Sequence, residues 1–481
     1  MTKLPRILAG GISALLLMTP AAHATTFTWD GGTESSENWT TPANWLGDIA
    51  PTFDATADVV FAGITGLSSN ANLDWNIRSI TFASGALGFT VRGNPLTLGA
   101  GGITNADDSV QNIENDLILS AAQTFLTSST GSMEIKGSIN TNGRVLTVDA
   151  ATDFITLSGA ISGSGGLVVT GHNSLVLAGG DSNTYTGGTT IVGPIVLAKT
   201  GGAVAIPGAI IVGNGSSVAT LAIGFDEQIG NSSSITVSAG SGVSLGSGVT
   251  ETIGALALSG TTQVNNGTLN VGTVSMFGGT ITTGGAGKLV LSGEITAVSA
   301  GLRRSIISGN LNLGGGTRTI TVVDGVANTE LEIQATVSNG SLVKEGAGRV
   351  IFKGPQNYAS LTTHQGTVDL ETALGTGSAS VSVTRTAGTA TVNFEASQTL
   401  ASLAIGDGGI VALLAPGSAL NSEDNGTSPI VLREFVAEPV GPGSGAQAVP
   451  EPGAGIMILL SCATLLARRR KKGENGRGER I

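Results

Sequence analysis

The sequence predicts an all-β chain whose short strands stack by repetition, and four observations lead there. Glycine supplies 74 of the 481 residues and charged side chains only 12%, roughly twice and half their usual shares. Apolar residues alternate at period two in Ser234–Val237, Thr319–Val322, Glu330–Ile333 and Ser380–Val383, the pattern of a half-buried strand. Gly-rich breaks such as Gly163–Gly166 and Gly314–Gly316 punctuate these strands every 8 to 12 residues or so, an all-β rhythm. Finally, the chain repeats itself. Gly166-Leu167-Val168, Gly171, Leu175-Val176-Leu177 and Gly179, followed by Asn183 and Tyr185, match Ser341-Leu342-Val343, Gly346, Val350-Ile351-Phe352 and Gly354, followed by Asn357 and Tyr358.

Composition bounds the chemistry. One Cys, three His, two Tyr and five Met leave little material for nucleophilic, metal or redox sites, and no cofactor is expected. Hydrophobic residues at 40% give enough apolar surface to offset the entropy of ordering. Of 23 bases and 34 acids, the first 24 residues hold two and none, and the stretch from Glu451 onward seven and three. The middle therefore keeps 14 bases against 31 acids, which argues against nucleic acid as a partner, because counterion release needs clustered Lys and Arg.

The N-terminus reads as an address. Lys3 and Arg6 precede an apolar run from Ile7 to Met18, and Ala22-His23-Ala24 follows Pro20; together these make a secretory signal helix over 1–24 with cleavage at Ala22 and Ala24, handled by Sec-type export machinery. Residues 25–100 then form a Trp-rich cap with the first coils. Trp29, Trp39 and Trp45 stand close together, with Asp30, Asn44 and Asp48 beside them. Two readings compete: exposed indoles and Asp30 contacting a glycan, or indoles sealing the first coil, the latter favoured. Asp54 and Asp58 lack a regular calcium-loop spacing.

Residues 101–437 form the repeat region. The phrases Ser174-Leu175-Val176-Leu177-Ala178-Gly179, Asn183-Thr184-Tyr185-Thr186-Gly187-Gly188-Thr189-Thr190 and Leu400-Ala401-Ser402-Leu403-Ala404-Ile405-Gly406-Asp407-Gly408 resemble the autotransporter-associated β-strand repeat, also called the passenger-associated transport repeat. The copy at Val343–Leu370 departs from it, with Ala359-Ser360-Leu361-Thr362-Thr363 replacing Thr-Gly-Gly-Thr-Thr. The resemblance implies a right-handed parallel β-helix. Coils of about 20 to 25 residues would number on the order of 17 to 20 and make a rod of about 80 to 95 Å.

Glu438–Ala448 is a Pro/Gly/Ser-rich linker. Beyond it, residues 449–481 combine Pro450-Glu451-Pro452, an uncharged apolar run at 453–467 and Arg468-Arg469-Arg470-Lys471-Lys472. The run predicts a short transmembrane helix with its basic end, 468–481, in the cytoplasm, hence a single-pass anchor and an exported body. That order of features resembles the PEP-CTERM sorting signal, which implies recognition and removal by an exosortase near Pro450, Glu451 and Pro452. The only cysteine, Cys462, lies inside the apolar run, so the body has no disulfide to form.

Catalytic signals are weak. His172 and His364 occupy different places in the two repeat copies, Arg303-Arg304 and Lys344-Glu345 read as outer-face charges, and no Ser has a base partner in view. The expected function is therefore a non-enzymatic, adhesin-like or structural protein of the cell surface or extracellular matrix, with exopolysaccharide as partner. A polysaccharide lyase or hydrolase on the same scaffold is the alternative; three or more acids, or acids with Arg or Lys, in one groove would favour it. A true autotransporter is disfavoured because no terminal series of alternating barrel strands is seen.

Overall fold

The computed structural model describes residues 24–32, 36–372 and 379–414, together with the backbone of strands Leu420–Ser422 and Met457–Leu460. Among these residues the only helical turn is a 3-10 turn at Pro42–Asn44; the rest is strand and corner. Every strand-to-strand ladder is parallel, and the chain forms a β-solenoid of about 17 turns. With neighbouring coils about 4.8 Å apart, this is a body about 80 Å long.

Each coil contributes to two long sheets. Seventeen successive strands, from Ser68–Ala71 to Gly409–Leu413, make the second sheet together with Met457–Leu460. The first sheet turns a corner. Strand Leu96–Asn105 pairs through its first half with Leu117–Leu119 and through its second half with Gln123–Thr127, so later coils divide into two strands where this one bends. Coil length, read from paired residues, is 32 for the first coil (Phe27 to Val59) and then, from strand Ala57–Phe61 to Gly409–Leu413, runs from 18 (Leu256 to Val274) to 26 (Ile281 to Ile307). The expected border at residue 100 falls inside a strand, making the first coils and the repeats one continuous stack.

Alternation puts every second residue inside, and parallel register lines these residues up into columns. One column runs unbroken from Phe27 through Val59, Ile80, Ile103, Phe125, Val148, Val169, Ile191, Val212, Val237, Leu258, Met276 and Ala297 to Val322. All of these are buried, and they form part of one hydrophobic cluster that spans the stack. Burial of a branched aliphatic side chain contributes roughly 1.5–3 kcal/mol, so the interior offsets chain ordering coil by coil.

The repeat glycines have a steric cause. Gly171 and its counterpart Gly346 have φ of +96° and +78°, and a Cβ on either would lie 2.5 or 2.3 Å from backbone of the preceding coil, at Ala150 and Val322. Both the left-handed corner and the close approach therefore demand glycine.

Where the first face loses its strand, buried polar side chains take over the backbone's hydrogen bonds. The part of the first sheet before the corner, built by residues 96–98, Leu117–Leu119, Ile139–Asn140 and Ile161–Ser162, has no further strand until residues 250–253. Asn183 instead accepts from the Ile161 amide through Oδ1 and donates through Nδ2 to the Ala205 carbonyl, both at 2.8 Å. Gln228 accepts from the Lys199 amide at 2.8 Å and donates to the Lys199 carbonyl at 3.1 Å. Glu251 accepts from the amides of Gln228 and Ile229 at 2.8 and 3.2 Å. All three are buried, and unmade bonds there would carry the full desolvation cost.

The Trp-rich segment closes the N-terminal end. Trp29 and Trp45 form an antiparallel bridge, Asp30 N–H donates to Asn44 O at 3.0 Å and Leu46 N–H to Thr28 O at 2.9 Å. This covers the otherwise free edge of the first sheet. The second sheet's first strand is covered by Glu37–Trp39, where Asn70 N–H donates to Glu37 O and Trp39 N–H to Asn70 O. Such pairing removes an edge that could template association. At the other end, Met457–Leu460 pairs in parallel with Gly409–Leu413. These four residues of the stretch expected to be a membrane helix are strand, since a short apolar run satisfies a β edge as well as a helix. The rest of 453–467 and the signal helix lie outside the described residues. Among the described residues no helix is long and apolar enough to cross a membrane.

Candidate functional site

The same register that builds the inner columns lines up the outer residues. On the first sheet one outward row reads Thr124, Thr147, Val168, Thr190, Ile211, Thr236, Ala257, Ser275, Thr296 and Thr321. All are exposed or half-buried and none is charged. Hydroxyl groups thus recur along the axis at multiples of about 4.8 Å, with methyl groups between them. This alternation of donor-acceptor and apolar contacts suits a polyhydroxylated chain.

Two depressions lie on this face. One, of 270 Å³, is lined by Thr236, Ala257, Ser275, Thr296, Val298 and Phe277, whose ring is half exposed. The other, of 430 Å³, is lined by Thr104, Thr124, Leu126 and Thr147 with Gln123. An exposed aromatic ring beside hydroxyls can pack against the apolar face of a sugar. A third, larger cleft lies on the second sheet beside Arg303 and Arg304.

The indoles flagged in the sequence are elsewhere. Trp29, Trp39 and Trp45 are at most 1% exposed and pack edge-to-face, with Trp45 centred 5.2 Å from Trp29 and 5.7 Å from Trp39. Trp29 Nε1 donates to Gly66 O and Trp45 Nε1 to Trp39 O, both at 2.8 Å. Asp30 accepts from the Gly32 amide. The glycan-contact reading of these tryptophans is corrected accordingly: no ring face is open, because the end of the core needs covering. Asp58 is taken by Arg78 and Ser79, and Asp54 by Thr52 and Thr56. The hydrogen bonds from Thr56 hold the Asp54 carboxyl below its usual pKa.

His172 is exposed, whereas His364 Nδ1 lies 2.6 Å from Glu345 Oε1; they stand on separate coils. Among the described residues no three His, Cys, Asp or Glu side chains gather into a metal site. Lys344, read as an outer-face charge, is instead buried in an inner column between Ile320 and Thr363. Its Nζ donates to the carbonyls of Glu345, Gly346 and Gln365 at 2.9, 2.6 and 3.0 Å, and burial pulls its pKa down to about 8.

One group of charges was not legible in the sequence. Coil stacking brings Lys353, Glu371 and Glu395 to neighbouring corner positions, beside Arg349 and Asp369. Asp369 is fully buried and paired with Arg349 and Asn393, which removes it from any substrate. Burial and the charges of Asp369 and Glu371 raise the Glu395 pKa. Of the remaining predicted positions, Ala24 is the first described residue and is exposed; Ala22, Pro450, Glu451, Pro452, Arg468, Arg469 and Arg470 lie outside the described residues. No family model, curated protein or solved structure matches this chain.

Proposed function

We propose that this chain is an exported rod of the bacterial cell surface or extracellular matrix, adhesive or structural in role, that lays the outer face of its first sheet along a polysaccharide. The observation that carries the reading is the uncharged row from Thr124 to Thr321 with two depressions on it. Right-handed winding fits the proposal, because parallel crossovers take that hand almost without exception. Export by a signal peptide at 1–24, and exosortase processing at Pro450-Glu451-Pro452, are supported by the order of those sequence features.

The test is retention of the mature chain on immobilised exopolysaccharide, compared with a Ser275→Lys/Thr296→Lys variant that places two charges in the row. Retention of the parent and its loss in the variant are expected; equal retention overturns the assignment of the face. The hydrolase or lyase reading is favoured by one observation, Glu371 and Glu395 on successive coils with Lys353 and Arg349 beside them. Carboxylates about 5–5.5 Å apart serve retaining hydrolysis, and adjacent parallel strands are spaced by about 4.8 Å. Release of soluble oligosaccharide, abolished by Glu395→Gln, would establish it.

A further inference from the structure

The largest of the three clefts is on the opposite sheet from the hydroxyl row, at 620 Å³, within the range of ligand sites of about 300–1,000 Å³. Two long coils build it. The chain turns out at Ala300–Arg303, an antiparallel bridge closed by Ala300 N–H to Arg303 O at 2.9 Å and Arg303 N–H to Ala300 O at 3.1 Å. The next coil projects at residues 323–329. Between these walls, Thr280 and Ile306 form the floor on adjacent strands.

Arg303 and Arg304 both enter this cleft, the only adjacent pair of basic side chains among the described residues. Arg303 Nη2 donates only to Gly278 O, at 3.3 Å. Arg304 Nε lies 3.0 Å from Glu332 Oε2, yet 46% of its side chain is exposed while that of Glu332 is 1% exposed. Glu332 is also neutralised by Lys353, at 3.3 Å. Burial pushes the Glu332 pKa up, but Gln334, Arg304 and Lys353 outweigh it and leave the carboxyl below its usual value. Glu330, equally buried, accepts from the amides of Gly325 and Arg349. Glu332 continues the outer row beside Ile306 but is covered by Arg304 and Lys353, and Glu330 is buried as well, so both carboxylates are shut off from solvent while Arg303 and Arg304 stay exposed. On a protein of formal charge −11 this is a local reversal of sign.

We propose that the cleft binds an anionic sugar residue of a polysaccharide, its acid group taken by Arg303 and Arg304. Guanidinium is the group suited to two parallel hydrogen bonds with an acid. Thr280 and Asn328 offer hydroxyl and amide partners, and Leu302, 85% exposed, and Ile306 offer apolar contact for the ring. The inference rests on the polysaccharide reading for its ligand class only, since it uses a different sheet.

The mature chain is titrated with an oligogalacturonate, with its neutral methyl ester and with a sulfated oligosaccharide. The oligogalacturonate binds, more weakly as salt rises, and the ester does not. Arg303→Gln lowers affinity about tenfold, the scale of one charge-assisted hydrogen bond, and the double variant with Arg304→Gln lowers it further. Arg303 supports no buried charge and makes one side-chain bond, to the Gly278 carbonyl at 3.3 Å, so its variant keeps the fold, which circular dichroism checks, even if Arg304→Gln unseats Glu332. A sulfated ligand that binds through the same arginines in preference to the uronate assigns the acid group to sulfate. Equal binding of acid and ester, or an affinity unchanged by Arg303→Gln, overturns the proposal. The Ser275→Lys/Thr296→Lys variant leaves this binding intact, so failure of the hydroxyl face and failure of the cleft are read separately.

Discussion

Replacing Asn183 by Leu tests whether buried amides hold the coils together where a strand is missing. The substitution conserves approximate size but removes an acceptor from the Ile161 amide and a donor from the Ala205 carbonyl, each now bonded at 2.8 Å. Asn183 is 2% exposed, so water does not replace either bond. An unsatisfied buried group costs about 1–3 kcal/mol, hence about 2–6 kcal/mol for the two. Because each coil contacts only its neighbours, the loss is local before it is global. Hydrogen exchange is the suitable assay: at about 1.4 kcal/mol per decade, protection of the Ile161 amide falls by roughly one to four orders of magnitude, while that of Ile307 stays near its parent value. Asn183→Asp adds a control. Its carboxylate still accepts from Ile161 but donates to Ala205 only when protonated, so protection recovers as pH falls. If Asn183→Leu leaves the Ile161 amide as protected as in the parent, the buried amide is filling space and the reasoning fails.

Three other outcomes follow from the same packing. Burial raises the Glu251 pKa to about 8, so between about 4.5 and 8 the native state holds a proton that the unfolded state has lost. Stability should then fall with rising pH, by roughly 3 kcal/mol at pH 7 at the linkage rate of about 1.36 kcal/mol per unit. Lys344, lowered to about 8, acts in the opposite sense, with stability regained as pH rises from about 8 to 10.5. Urea midpoints at pH 5, 8 and 10 should show a minimum near 8, with Glu251→Ala flattening the acid arm and Lys344→Met the alkaline arm. The two repeat tyrosines should respond differently to removal of the hydroxyl. Tyr185 OH bonds Thr189 at 2.7 Å and Tyr185→Phe costs about 1 kcal/mol, whereas Tyr358 OH is buried without a partner, so Tyr358→Phe is neutral or stabilising in the same urea assay. Gly171→Ala forces a side chain onto φ +96° against Ala150 and should destabilise the chain by more than the 1–2 kcal/mol or so of left-handed strain alone, read as a lower thermal midpoint.

The sequence by itself determined the all-β class, the stacking of coils and much of the inner core. Period-two alternation and recurring glycine are local signals, and a solenoid is made almost wholly of local units repeated. Leu175 and Leu177, picked out by repetition, are core residues, and Gly171 is a left-handed corner. What lay beyond the sequence was whatever depends on two coils lying against each other. Alternation assigns a residue to the inside or the outside but says nothing of which residue about 22 positions away sits beside it. For that reason Lys344 was placed on the outer face and is buried, and Arg303 and Arg304 gave no hint of a cleft. Asn183, Gln228 and Glu251 did not announce that they replace missing strand hydrogen bonds. The tryptophans left two readings open, and burial decided between them, since only the folded end of the stack shows that its first strands need a cover. After a first coil of 32 residues, coil length varies from 18 to 26, and each change of length slides one set of side chains past the next. The neighbours that make a site are therefore fixed by the register of the whole stack, a quantity no single repeat contains.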